Sequence, residues 1–382
     1  MRKDDLNRKV IAVHLYNDYS GSPRILAQWL QHAQANGAKV ELHTSATGGI
    51  LDEVNGIARR PFKYSPHPWL FLRLLRFVQI QLLLFFRFAR LKKNAIVYVN
   101  TILPIGAILG ARWAKLPVVC QVHEVAVRPR SLDRLLKWAV SRYCDQLIFV
   151  SDYVEKASGI QHSNTHVIAN ALSPAFVNGM VKKQEKVEGR FRLLMLASIR
   201  SYKGLDQFRE LAMSLPEHQF ELVLNGTQSE ADQYFLDQEM PQNLVLYPLQ
   251  KNVHAFYAKA DVVLNLSLPD AWVETFGMTA LEGMAYGLPV IVPPIGGIAE
   301  LVVHGESGFH CDAYDIDGLV KRLNQLAVSP ETYGRMSEAA QSRAAKYDFE
   351  EFAAAIDECV AETAIACRPK SGRQPHKGTM VV

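Results

Sequence analysis

The sequence predicts an α/β protein built from two Rossmann-like domains, and three observations carry that prediction. A strand, a polar turn, a helix and a second strand succeed one another at residues 10–15, 17–23, 24–35 and 40–44. The same strand–turn–helix opening restarts at 191–198, after a polar, charged stretch at 177–190. The chain has 382 residues, 49% apolar and 21% charged, which is enough core for two such domains.

In order, 10–15 is the first apolar run, with Gly37 stopping the helix that follows its turn. The dinucleotide fingerprint G-x-G-x-x-G is absent; Gly21 stands alone between Ser20 and Ser22. Residues 45–68 read as a polar connection. The next stretch runs from Trp69 to the Lys92-Lys93 pair. At about 100° per residue, Arg73, Arg76, Arg87 and Arg90 share one narrow face, and nearly everything else is Leu, Phe, Ile or Val. Four arginines argue against a membrane-spanning helix. Two readings stay open: a helix lying in a membrane interface, or buried helices with a thin solvent stripe. Strands are expected at 95–100, 117–123, 146–151 and 166–170, with helices at 101–115 and 132–143. His123 then falls at the carboxyl end of a strand, where open α/β sheets bind ligands, although a loop histidine satisfied by its neighbours fits as well.

The second half opens with the strand 191–198 and the turn Ile199-Arg200-Ser201-Tyr202-Lys203-Gly204, before a helix near 206. Strands follow at 219–225 and 243–247, a loop at Pro248-Leu249-Gln250-Lys251, a helix at 254–260 and a strand at 261–266. Residues 265–308 are the most informative stretch. Glu274 and Glu282 lie eight residues apart, with Phe276 and Gly277 between them. A helix is expected from Met278 through Thr279 and Glu282 to residue 286, stopped by Gly287 and Pro289. A buried strand at 288–292 leads into Pro293-Pro294-Ile295-Gly296-Gly297, read as a loop whose glycines admit a ligand. A helix N-terminus behind a glycine suits a phosphate, and carboxylates suit paired hydroxyls. Ordinary αβ loop chemistry would produce the same residues. Asp315-Ile316-Asp317 is not read as a metal site: Asp317-Gly318 precedes a helix expected at 319–326 and reads as its cap, and no metal-spaced cluster is visible.

Glu-x7-Glu with Phe-Gly after the first acid, Glu-Gly-Met-Ala-x-Gly-x-Pro-Val around the second, and Gly-Gly-x-x-Glu beyond resemble the donor-site signature of retaining glycosyltransferase family 4. That resemblance implies the GT-B fold: two Rossmann-like domains facing across a cleft, with a C-terminal helix returning to the first. It implies domains at 1–175 and 191–348, joined by a linker at 176–190, with 349–367 as the returning helix and 368–382 as a disordered tail. It further implies a hexose moved from a nucleotide-diphosphate sugar to a hydroxyl of a glycan or lipid-linked acceptor, without a metal or other cofactor. By the family pattern, Lys203 grips the diphosphate. Ser198 stands where the family has arginine, and Arg200, two residues on, is expected to substitute. Glu274 would hold the sugar, Glu282 the ribose, and the amides near Gly277, Met278 and Thr279 the phosphates, beside Phe276. His123, followed by Glu124, would line the sugar. Gly21 would approach the donor, and Leu249 and Lys251 would meet the base.

Charge adds a partner. Residues 1–175 carry 23 Lys/Arg against 11 Asp/Glu, and the remainder 19 against 27. A basic first half suits an anionic membrane surface or a phosphorylated acceptor; no nucleic-acid motif accompanies it. Five cysteines without a C-x-x-C pair and a charged N-terminus lead to the expectation of reduced thiols and a cytoplasmic place, peripheral on the inner face of a membrane. A sugar-nucleotide sensor without turnover, and a membrane-docking scaffold, remain open as other classes.

Overall fold

The computed structural model describes residues 9–67, 69–92, 94–184 and 190–366. The expected tail at 368–382, Lys93 and linker residues 185–189 lie outside these. Two parallel sheets organise the chain. The first domain runs β1 (Lys9–His14), α1 (Gly21–Ala35), β2 (Val40–Thr44), β3 (Ala58–Arg59), α2 (Leu70–Ala89), β4 (Ala95–Asn100), α3 (Ile105–Trp113), β5 (Val118–Val122), α4 (Arg130–Tyr143), β6 (Gln146–Phe149), α5 (Asp152–Ser158) and β7 (Thr165–Val167). Its strands lie in the order β3-β2-β1-β4-β5-β6-β7. Side chains alternate along each strand, so Val97 and Val99 face α2, α3 and α4 in one core. Ile96 and Tyr98 face α1 on the other side. Both faces are covered, which is why these strands read as continuous apolar runs.

After α6 (Pro174–Asn178) the second domain comprises β8 (Arg192–Ser198), α7 (Leu205–Ser214), β9 (Gln219–Asn225), α8 (Gln228–Tyr234), β10 (Leu244–Tyr247), α9 (His254–Lys259), β11 (Val262–Leu264), α10 (Met278–Ala285), β12 (Val290–Val292), α11 (Gly297–Leu301), β13 (Gly308–His310), α12 (Ile316–Val328) and α13 (Pro330–Ala344). Its order is β10-β9-β8-β11-β12-β13. The last helix, α14 (Phe349–Ala366), returns to the first domain. Phe352, Ile356 and Val360 join the α1 core, and Trp29 Nε1 donates to Asp357 at 3.0 Å.

Several expectations need correction. Helix α1 starts at Gly21, earlier than 24, because Pro23 sits in its first turn, where a missing N–H costs nothing. The connection 45–68 contains a 3-10 turn at Ile50–Glu53 and the short β3. Residues 172–184, read partly as linker, dock on the second domain: Phe176 packs on His254 at 4.6 Å, and the Gln184 amide donates to the Ala258 carbonyl at 2.8 Å. The cap of α12 is Asp315 and not Asp317, which lies inside the helix; Asp315 accepts from the Gly318 amide at 2.9 Å.

The stretch after Trp69 is one helix, and neither earlier reading describes it fully. Ile80, Leu84 and Phe88 are buried against the sheet. The flank beside α3 fits because that helix has glycines: a Cβ on Gly106 would sit 2.0 Å from the Gln81 carbonyl oxygen, and one on Gly110 2.4 Å from that of Phe85. The remaining apolar face is open. Trp69 is 73% exposed and Phe71 76%, with Leu75, Val78, Leu82 and Phe86 exposed beside them. The arginines form a separate stripe: Arg73, Arg76 and Arg90 are exposed and Arg87 is half-buried.

Candidate functional site at the facing sheet edges

In both sheets the strand order reverses beside the first strand, between β1 and β4 and between β8 and β11. Such switch points leave a crevice at the carboxyl ends of the strands. The two crevices face each other. Arg24 in the first turn of α1 meets Glu282 on α10, and Ser151 after β6 donates to the Thr275 carbonyl at 2.8 Å.

On the second domain, the turn after β8 presents Lys203. Gly204 holds φ 75°, and a Cβ there would lie 2.0 Å from the Leu266 carbonyl oxygen, so the turn is pressed against the end of β11. That closeness brings Lys203 to Glu274, where Nζ donates to Oε1. Ser267 Oγ donates to the same carboxylate at 2.8 Å. Burial pushes the Glu274 carboxyl up, but the Lys203 charge and these hydrogen bonds outweigh it and hold it below the ordinary range. Lys203 Nζ also lies 5.3 Å from the Trp272 ring centroid and 5.9 Å from that of Tyr202, and these two rings stack at 5.2 Å.

Helix α10 begins behind Gly277, at φ 99°, and no side chain caps it. Its first amides are therefore available to an anion. Phe276 is buried, whereas Met278 and Thr279 are half-buried. Glu282, one turn in, is 4% exposed. Its two oxygens are occupied: Tyr257 OH donates to Oε2 at 2.7 Å, and Arg24 to Oε1 at 3.4 Å. Burial raises its pKa, partly offset by Arg24 and Tyr257.

The expectation that the Pro293–Gly297 glycines admit a ligand is corrected. Gly297 starts α11, and a Cβ on it would lie 1.9 Å from the Thr275 carbonyl oxygen and 2.6 Å from Ser151 Oγ. One on Gly296 would lie 2.5 Å from the Glu274 carbonyl oxygen. These glycines let two loops and the other domain touch. The acid of the same motif, Glu300, accepts from the backbone N–H groups of Asp152 and Tyr153, the latter at 2.5 Å.

Facing this, His123 Nε2 donates to Asn100 Oδ1 at 2.9 Å. Asn100 Nδ2 in turn donates to the Ser22 carbonyl at 3.1 Å and lies 3.0 Å from His14 Nδ1. The Ser22 carbonyl can only accept, which orients the amide and hence the tautomer of His123. Burial lowers the His123 pKa to about 3, with His14 adding a smaller push. Glu124 accepts from the amides of Ile102 and His123, each at 3.2 Å. Burial raises it to about 7 against those bonds.

The other named residues are less engaged. Gly21 opens α1, with nothing within 4 Å of an added Cβ. Arg200 is exposed and donates to its neighbour's carbonyl, Ile199, at 3.1 Å; it does not join Lys203 and Glu274. Leu249 and Lys251 are exposed at the carboxyl end of β10. Sequence reasoning missed Arg24, Tyr257, Asn100, His14 and Ser151, and noted Glu300 only as the acid that ends the Gly-Gly-x-x-Glu motif. Asn100 ends a strand beside His123 and was findable by that placement. Arg24 and Tyr257 had no sequence signal, because their role depends on packing between distant segments.

This constellation on paired Rossmann-like sheets is that of a GT-B glycosyltransferase. Residues 179–343 match the family model described as Glycosyl transferases group 1, and 19–176 that of Glycosyltransferase Family 4. The chain belongs to this family. A Haemophilus influenzae protein described as an uncharacterized glycosyltransferase is 27% identical over 58% of this chain and 62% of its own length. The N-acetyl-alpha-D-glucosaminyl L-malate synthase of Bacillus anthracis is 37% identical over 24% of this chain and 23% of its own length. The chain thus spans less than two thirds of these relatives. Among solved structures, HepE of Anabaena with UDP and glucose superposes with TM-score 0.74 at 18% identity, covering 93% of this chain and all of that one. Sucrose-phosphate synthase of Thermosynechococcus elongatus gives 0.74 at 17%, covering 94% and 100%. At these identities the likeness is one of fold.

Proposed function

We propose that the protein is a retaining glycosyltransferase that moves a hexose from a nucleotide-diphosphate sugar to a hydroxyl of a glycan or lipid-linked acceptor. The observation that carries this reading is the Lys203–Glu274 pair beside the uncapped N-terminus of α10. As the anomeric C–O bond breaks, negative charge grows on the departing diphosphate. Lys203 and the amides near Gly277 would stabilise it, so the reading needs no metal. Glu274, released from Lys203, would take hydroxyls of the transferred sugar, and Glu282 those of the ribose. His123 keeps its ring neutral and would line the sugar. A thermal-shift panel of UDP, GDP and ADP sugars tests the reading, since a ligand of the folded state raises the melting temperature. HepE was crystallised with UDP-glucose, so a UDP sugar is the first to try. No stabilisation by any donor would overturn the reading. Activity lost in EDTA and restored by Mg²⁺ would overturn its metal-independent form, and inversion of the anomer in the product its retaining form.

The acceptor side of the reading rests on α2. Its open Phe/Leu face and arginine stripe support docking of the first domain on an anionic membrane, where a lipid-linked acceptor would be presented. No helix among the described residues is long and apolar enough to cross a membrane. Flotation with anionic vesicles tests this.

A further inference from the structure

Both acids of the Glu-x7-Glu motif are held by cations. Glu274 is paired within its own domain by Lys203, but Glu282 is paired from the other domain, by Arg24. The guanidinium sits 3.4 Å from Oε1 of a carboxylate whose side chain is 5% exposed, while its own side chain stays 39% exposed. Arg24 is therefore the more solvent-accessible member of this pair. It is also close to the N-terminus of α10. Met278, the first residue of that helix, packs against the first domain's core, which includes Ile25, the neighbour of Arg24. Glu282 lies about one turn, roughly 5.4 Å, further along the helix.

We propose that Arg24 is an interdomain counter-ion exchanged during donor binding: it occupies Glu282 until the ribose hydroxyls arrive, then moves one turn to the diphosphate at the N-terminus of α10. The inference rests on the ribose reading of Glu282 and goes beyond it. The physical reason is charge balance. A ribose diol that takes Glu282 leaves a guanidinium unpaired next to an incoming dianion, and Arg–phosphate pairing is strong and bidentate. Because Arg24 belongs to α1, the exchange would tie donor binding to the position of the acceptor domain.

Calorimetry on the full chain tests this, using the nucleoside diphosphate that the thermal-shift panel selects and its nucleoside without phosphate. Arg24→Met removes the charge and keeps the apolar stem. The nucleoside should bind roughly two- to fivefold tighter, because its site is no longer partly closed. The diphosphate should bind about tenfold weaker or worse, because a charged contact is gone. Opposite movements support the exchange. Any other pattern overturns it, including parallel weakening from a disturbed α1. Arg24→Lys should retain part of the diphosphate affinity, and its failure to do so also counts against the exchange. Glu282→Ala separates the two claims: unchanged nucleoside affinity in that variant defeats the ribose reading, whatever Arg24 does.

Discussion

Lys203 leads at the scale of single residues, because its partner in the fold is a carboxylate, whereas the proposed chemistry would pair it with a phosphate. Its ammonium rests on Glu274 beneath two stacked rings. Lys203→Ala should lower kcat more than it raises KM, since the leaving charge peaks in the transition state. Steady-state kinetics decides this; a rise in KM with kcat intact would mean uniform binding only. Glu124 supports a second expectation. Burial lifts its folded pKa to about 7, above the ordinary glutamate value of about 4.5. Between those values the folded state binds more protons than the unfolded one, so its contribution is fully present below about 4.5 and lost as pH rises through about 7. The melting temperature of wild type should therefore fall relative to Glu124→Gln across that window. A constant difference would show that the carboxyl titrates normally.

Glycines set the precision of the site at the level of elements. The β8–α7 turn carries Lys203 only because Gly204 combines φ 75° with backbone contact to Leu266. Gly204→Ala should destabilise by about 2 kcal/mol or more, from a left-handed alanine plus displacement of β11. Gly21→Ala should stay within about 0.5 kcal/mol, since its Cβ meets nothing and its φ is not positive. Chemical denaturation reads both. Because Gly21→Ala leaves the fold intact, a loss of donor affinity in that variant would place the donor against α1, and equal affinity would remove Gly21 from the donor site.

The whole molecule is electrically divided, with 23 basic and 11 acidic residues up to position 175 and the opposite bias after it. Helices α2, α3 and α4 cover one face of the basic domain. Along that face Trp69, Phe71, Leu82, Phe86, Trp113, Leu135 and Trp138 are exposed. An apolar surface edged with arginine suits anionic lipid, each cation contributing about 1 kcal/mol and less in salt. The protein should float with anionic vesicles at low salt and come off partly at high salt. Replacing Arg73, Arg76, Arg87 and Arg90 with Gln should reduce flotation and spare donor affinity, which the proposed reading assigns mainly to the second domain. Wild type that ignores anionic vesicles would end the docking reading.

Local pattern was enough to determine the two parallel-sheet domains, because buried strands and punctuating glycines write their period directly into the chain. The family resemblance singled out Lys203, Glu274, Gly277 and Glu282, three within one loop–helix unit and the fourth at a strand–turn–helix junction, and the fold pairs Lys203 with Glu274. Local pattern could not determine what those groups touch. That Glu282 is already bonded to Arg24 and Tyr257, that Gly296 and Gly297 lie against neighbouring backbone, and that Phe71, Leu75, Val78, Leu82 and Phe86 of α2 stay exposed depend on contacts between segments far apart in sequence. Such contacts are set by how helices and loops pack across the sheets and between the domains, and packing at that range has no period for a sequence to display.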